Sequence, residues 1–153
     1  LGKDRLAAAA GAQHLFPGRH CVVVDAGTCL TCDLLTAEGV FLGGNIAPGW
    51  RMRLEAMHAY TARLPRLEAA MPDSWYGRTT AEAMQAGAGY GMVWEVEGFV
   101  RQAERMLGPV LVVVTGGDAD LFVRYWKTEI FANPDLVLIG LNQILKHNAE
   151  HAA

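Results

Sequence analysis

Two short segments carry residue types that could do chemistry. In the first, Cys21 to Val24 form a β-branched apolar run that ends on Asp25, and Ala26, Gly27 and Thr28 reverse the chain into a second strand. One carboxylate, one glycine and one hydroxyl therefore share a single bend. Gly27 has no Cβ and can take a positive φ, so a phosphate could approach the backbone N–H groups of the turn, with the Thr28 hydroxyl as a further donor. Asp25, at the carboxyl end of its strand, is placed to hold a cation. By itself the segment reads equally well as an ordinary hairpin. In the second segment, Thr115-Gly116-Gly117-Asp118 follows the apolar run Val110 to Val114. Its glycine pair would let a flat adenine or ribose come close; the alternative is a plain strand-to-helix loop with Asp118 as helix cap.

Other chemistries find little support. Cys29 and Cys32 form a C-x-x-C, but residues three apart on a strand face opposite sides, which argues against a shared metal or redox pair. Three cysteines inside strand-like sequence do not make a disulfide framework, and the five histidines have no ligand spacing. A net charge of -3 and a pI near 5.9 leave no basic surface for nucleic acid. No apolar run reaches the roughly 20 residues of a membrane span, and no signal peptide is visible. These features predict a soluble, cytoplasmic protein. At 153 residues and 52% hydrophobic content, the chain can bury one substantial core. It opens on Leu1 and runs straight into helix-forming sequence, as a fragment of a longer protein would.

The elements that must position these segments follow from periodicity and punctuation. Arg5 to Ala12 is predicted as a helix stopped by Gly11 and the loop with Pro17 and Gly18. Three strands in a meander follow, over Cys21 to Asp25, Thr28 to Leu35 and Val40 to Asn45. Trp50, Leu54, Met57 and Thr61 recur at helical spacing up to the break at Leu64-Pro65. Thr79 and Glu82 fit a capping box opening a long helix to about Met106. Strands are expected at Val110 to Val114 and Leu136 to Ile139, each followed by a helix. The reading is an α/β domain with a mixed sheet in the order βββ-α-α-β-α-β-α. The long helix carries Gly87, Gly89, Gly91 and Gly98 among many apolar groups, which suggests a close helix-helix approach and a homodimer; a central helix buried within one domain is the alternative.

The element order and the glycine turns resemble the actin, Hsp70 and sugar-kinase superfamily, with its ribonuclease-H-like domains. Within it, the blocks G-K-D-R (Gly2 to Arg5), D-A-G-T (Asp25 to Thr28) with Thr31 and Asp33, G-G-N-I-A-P-G (Gly43 to Gly49), T-A-R-L-P (Thr61 to Pro65), G-R-T-T-A-E-A (Gly77 to Ala83), T-G-G-D (Thr115 to Asp118) and D-L-V-L-I-G-L (Asp135 to Leu141) are similar to type III pantothenate kinases. That family opens with an Asp-x-Gly-Asn-Thr hairpin in a first domain, and this sequence contains none. The chain therefore resembles the second part of such an enzyme: residues 1–18 end a preceding domain or interdomain segment, and 19–153 form the C-terminal domain.

The resemblance implies ATP-dependent phosphorylation of pantothenate to 4′-phosphopantothenate, the entry to coenzyme A synthesis, with ATP, a monovalent cation (K⁺ or NH₄⁺) and Mg²⁺ as cofactors. By position, Asp4 matches the general base, and Gly2, Lys3, Asp4 and Arg5 the substrate loop. Asp25 matches the cation ligand, Gly27 and Thr28 an ATP turn, Thr80 a substrate contact, and Gly116 and Gly117 the adenosine-side turn. Spacing alone would make Asp4 a surface ion-pair partner of Lys3 or Arg5, and Thr80 a helix-capping residue. The family is dimeric, and the 153 residues alone are expected to be inactive. A non-catalytic regulatory or interaction domain on the same ATPase fold is the second reading.

Overall fold

The computed structural model describes residues 2–152. The elements are α1 (Lys3–Leu15), β1 (Cys21–Ala26), β2 (Cys29–Leu35), β3 (Phe41–Pro48), α2 (Trp50–Ala59), α3 (Thr80–Leu107), β4 (Leu111–Thr115), α4 (Ala119–Tyr125), β5 (Phe131–Ala132) and α5 (Leu136–His151). They build a five-stranded mixed sheet in the order β3-β2-β1-β4-β5. β1, β2 and β3 pair antiparallel, whereas β4 lies parallel to β1 and β5 parallel to β4. With β1 and β4 side by side and pointing the same way, Asp25 and Thr115 stand in register at the carboxyl ends of the two central strands.

Alternation on the central strands divides the core in two. Val22, Val24, Val112 and Val114 face a cluster supplied by Met92, Val93, Val96 and Val100 of α3 and by Leu121 and Phe122 of α4. Cys21, Val23, Leu111 and Val113 face Ala8, Ala9 and Ala12 of α1 and Leu136 of α5. Helices thus cover both faces, and the strands read as continuous apolar runs because neither face meets water. A smaller cluster joins Leu54 of α2 to Met84 and Ala88 of α3.

Three expectations are corrected. Gly11 does not stop α1: the helix runs on to Leu15, and Gly11 is the point where α5 crosses, an added Cβ there meeting the Leu136 carbonyl. On the facing helix, a Cβ at Gly140 would collide with the backbone of Ala7, so the two helices touch backbone to backbone. That contact explains the second correction, since Leu136 to Ile139 belongs to α5 and the fifth strand is only Phe131–Ala132. Leu136 and Gly140, one turn apart, are the buried positions of α5 while Leu138 is 66% exposed, a helical rather than an alternating pattern. Third, Gly2 to Arg5 is not a loop: Lys3, Asp4 and Arg5 form the first turn of α1, with Gly2 at the N-cap.

Thr79 caps α3 as expected, its hydroxyl accepting from the Glu82 N–H at 3.1 Å. Glu82 reaches back one residue further than a capping box requires and accepts from the Arg78 N–H at 2.9 Å.

Candidate active site

At the carboxyl edge of the sheet the β1-β2 bend, the β4-α4 turn and the first turn of α2 meet. The bend is held from both sides. Asp118 N–H donates to the Ala26 carbonyl at 2.9 Å, and Gly49 N–H to the Thr28 carbonyl at 3.1 Å. Gly49 has no room for a side chain, since a Cβ would strike the Gly27 and Thr28 carbonyls. Gly27 differs from expectation. Its φ is not positive, and its N–H donates to the Cys29 carbonyl at 3.1 Å, so it offers space rather than a donor. Among the described residues, the N–H groups of Thr28 and Gly117 donate to no protein acceptor and remain available to a ligand.

Gly116 is the residue that closes the site. It takes φ +98°, which disfavours any side chain, and a Cβ there would lie 2.6 Å from Asp25 Oδ1. Asp25 is half-buried between this turn and the bend. Burial pushes its carboxyl above the usual range, and the charge of Asp4 pushes it the same way. Two carboxylates, one on α1 and one on β1, therefore feel each other across the edge of the sheet. A cation between or beside them would offset the repulsion between the two charges. Among the described residues no group of three or more His, Cys, Asp and Glu could hold a metal ion.

A cleft of about 490 Å³ opens here, walled by Gly27 and Thr28, by Gly117 and Asp118, and by Arg51, Met52 and Glu55 of α2. Gly27, Thr28 and Gly117 thus line one cavity, and Gly116 and Asp4 are tied to Asp25. Thr80 is exposed as the first residue of α3, and no described contact ties it to the bend. Lys3 is likewise exposed.

Arg5 is committed to the fold. Its Nε lies 3.0 Å and 3.2 Å from the two oxygens of Asp33 and its Nη2 2.5 Å from Oδ1. Asp33 is a buried carboxylate on β2, and the bidentate grip holds the Arg5 guanidinium above its ordinary pKa. Phe41 lies under the guanidinium at 6.0 Å, and a Cβ on Gly44 would crowd Asp33 Oδ1. The sequence flagged Asp33 and Gly43 to Gly49 as motif residues but not this pairing, because 28 residues separate the partners. Arg5, not Asp4, makes the ion pair. Of the cysteines, Cys21 and Cys32 are buried and pushed by desolvation up to about 11 and about 12, while Cys29 is partly exposed. All three are free thiols.

The profile of the type III pantothenate kinase family matches residues 1–102. A type III pantothenate kinase of Porphyromonas gingivalis is 42% identical over 151 residues, covering 97% of this chain and 62% of that protein. One from Phocaeicola vulgatus is 44% identical over 148 residues, covering 97% and 61%. The chain thus spans about three-fifths of the length of these relatives. Among solved structures, a conserved Campylobacter jejuni protein assigned to a Baf family of transcriptional activators superposes with a TM-score of 0.70 at 25% identity, over 98% of this chain and 66% of that one. The activator of 2-hydroxyisocaproyl-CoA dehydratase from Clostridium difficile, with bound ADPNP, gives 0.56 at 15% identity over 96% and 69%, a likeness of fold alone.

Proposed function

The chain belongs to the type III pantothenate kinase family, and from that premise we propose that the protein containing it is a pantothenate kinase, transferring phosphate from ATP to pantothenate to give 4′-phosphopantothenate. The observation that carries the reading is the meeting of two glycine turns with open N–H groups at one cleft, with the half-buried carboxylate of Asp25 lying against the Gly116 turn. Phosphoryl transfer asks chiefly for positioning and charge neutralisation, which are what such groups supply. The mixed sheet supports a ribonuclease-H-like, actin-type ATPase domain.

In this reading Thr28 and the Gly116-Gly117 turn hold ATP. Asp25 holds K⁺ or NH₄⁺, which would neutralise charge beside the phosphates, and Mg²⁺ accompanies the nucleotide. Asp4, exposed at the start of α1 and electrostatically coupled to Asp25, takes the proton from the substrate alcohol. Gly2, Lys3 and Thr80 contact pantothenate, while Arg5 acts mainly by fixing the turn that carries Asp4. A further domain supplies the other phosphate turn, so the isolated chain turns over no pantothenate. The second reading, a regulatory domain that has lost catalysis, is disfavoured by the joint retention of Asp4, Asp25, Thr28 and Thr80.

The deciding experiment is a coupled kinase assay on the full-length protein with Asp4→Asn alongside. The expected outcome is pantothenate-dependent ADP release that falls about 10² to 10⁴ in kcat in the variant while nucleotide binding persists. An inactive wild type, or an unchanged variant, sinks the activity or the role of Asp4 respectively.

A further inference from the structure

We propose that Arg51 and Glu55, one turn apart on α2, form the third wall of the nucleotide site, Arg51 taking phosphate oxygens and Glu55 the ribose hydroxyls. The inference rests on the kinase reading of the cleft and assigns it two residues that none of the motifs above includes.

The cleft's walls differ in kind. The β1-β2 bend and the β4-α4 turn offer the open N–H groups of Thr28 and Gly117, with Asp118 beside them; α2 offers Arg51, Met52 and Glu55. Donors suited to an anion are therefore joined by a guanidinium, and the Glu55 carboxylate supplies an acceptor for hydroxyl groups. A ligand anionic at one end and hydroxylated further along matches that inventory, as a nucleoside triphosphate does. The volume of about 490 Å³ falls among ordinary ligand clefts.

Stability gives no reason for this placement. Arg51 sits in the first turn of α2, which contains no acidic residue and where the helix dipole disfavours a cation. Arg51 ahead of Glu55 is the weaker order for an ion pair at this spacing, and the pair is not formed: the ion pairs among the described residues are Arg5 with Asp33 and Arg53 with Glu95. The neighbouring Arg53 shows the contrast, being anchored to Glu95 and to the Pro48 carbonyl at 2.9 Å. Arg51 and Glu55 are both exposed; they line this cleft and also the neighbouring one that reaches Arg66 and Glu68, and among the described residues their side chains make no hydrogen bond.

The test uses the full-length protein with ATP and 2′,3′-dideoxy-ATP as probes. Arg51→Ala is expected to raise KM for ATP about tenfold or more, the usual worth of a hydrogen bond to a charged group, with KM for pantothenate within twofold of wild type and partial rescue in Arg51→Lys. Glu55→Ala is expected to erase the roughly tenfold preference of wild type for ATP over the dideoxy nucleotide. Arg19→Ala, an exposed charge at the opposite end of β1, serves as the control that changes neither quantity. An unaltered KM for ATP in Arg51→Ala, or a rise for pantothenate instead, overturns the role of Arg51. An unaltered nucleotide preference in Glu55→Ala, or no preference in wild type, overturns that of Glu55. Calorimetric titration with ATP separates this from the kinase reading. If wild type binds ATP without phosphorylating pantothenate and Arg51→Ala binds it at least tenfold more weakly, the wall stands and the activity falls; if wild type binds no ATP, both fall.

Discussion

Arg5 and Asp33 join the first turn of α1 to the middle of β2 through a bidentate pair in which Arg5 is 14% exposed and Asp33 only 3%. The contact fixes the turn that carries Asp4 against the sheet edge that carries Asp25. Removing one partner strands a buried charge, so Arg5→Ala should destabilise the fold by about 3–5 kcal/mol. Replacing both partners by apolar residues, as in Arg5→Met with Asp33→Leu, should recover much of that loss. Urea denaturation of the four members of the cycle measures the coupling, and additive losses would contradict it.

Asp25→Asn should stabilise the protein at neutral pH while abolishing activity. The folded-state pKa of Asp25 is raised by burial and by Asp4, so protonation favours the native state. Its favourable contribution is complete below the unfolded carboxylate's pKa and is lost as pH rises through the raised native value. At pH 7 the ionised group is thus a cost that asparagine removes. The gain in Tm should shrink toward zero as pH falls below about 4, near the ordinary carboxylate pKa. K⁺ should raise the Tm of wild type but not of the variant. A variant less stable than wild type at pH 7 in buffer free of K⁺ and NH₄⁺ would count against this account.

We propose a homodimer through α3, on the face that helix leaves open. Cβ atoms added at Gly87 or Gly91 would meet nothing within 4 Å, one at Gly98 only the end of Arg101, and Trp94 on the same stripe is 47% exposed. Trp75 packs on Trp94 at 6.1 Å and is itself 61% exposed, extending an aromatic surface beside the glycines. Gly89 is excluded from this face because it packs on Met71. Gly91→Leu should separate the subunits by light scattering without unfolding them, and should weaken pantothenate binding if Thr80 stands near the partner. A monomeric wild type at micromolar concentration would rule the interface out.

Cys29 should be the thiol that labels first. Cys21 and Cys32 are buried and raised to about 11 and about 12, so at pH 8 almost none of either is thiolate. Stoichiometric modification of one thiol by a disulfide reagent is expected in the folded protein, and of three on denaturation. Because unfolded thiols ionise first, stability should also fall as pH climbs beyond about 9. Rapid reaction of all three in the native state would contradict the burial.

The sequence by itself determined the parts whose signal is local. Val22 to Val24 and Val112 to Val114 announce buried strands, Thr79 announces the start of α3, and Gly27-Thr28 and Gly116-Gly117 announce bends because side-chain shape and backbone freedom act within a few residues. The dispositions of Arg5, Leu136 to Ile139 and Gly27 were decided only in three dimensions. Arg5 found Asp33 across 28 residues. Leu136 to Ile139 is apolar enough for a strand, but Gly140 lets α5 lie backbone to backbone on α1, while Phe131–Ala132 pairs with β4. Gly27 had its N–H claimed by Cys29 and its space bounded by Gly49, leaving Thr28 and Gly117 as the donors. Each outcome depends on what another segment brings to the same place, and pairings between distant residues have no signature in a single chain's local pattern.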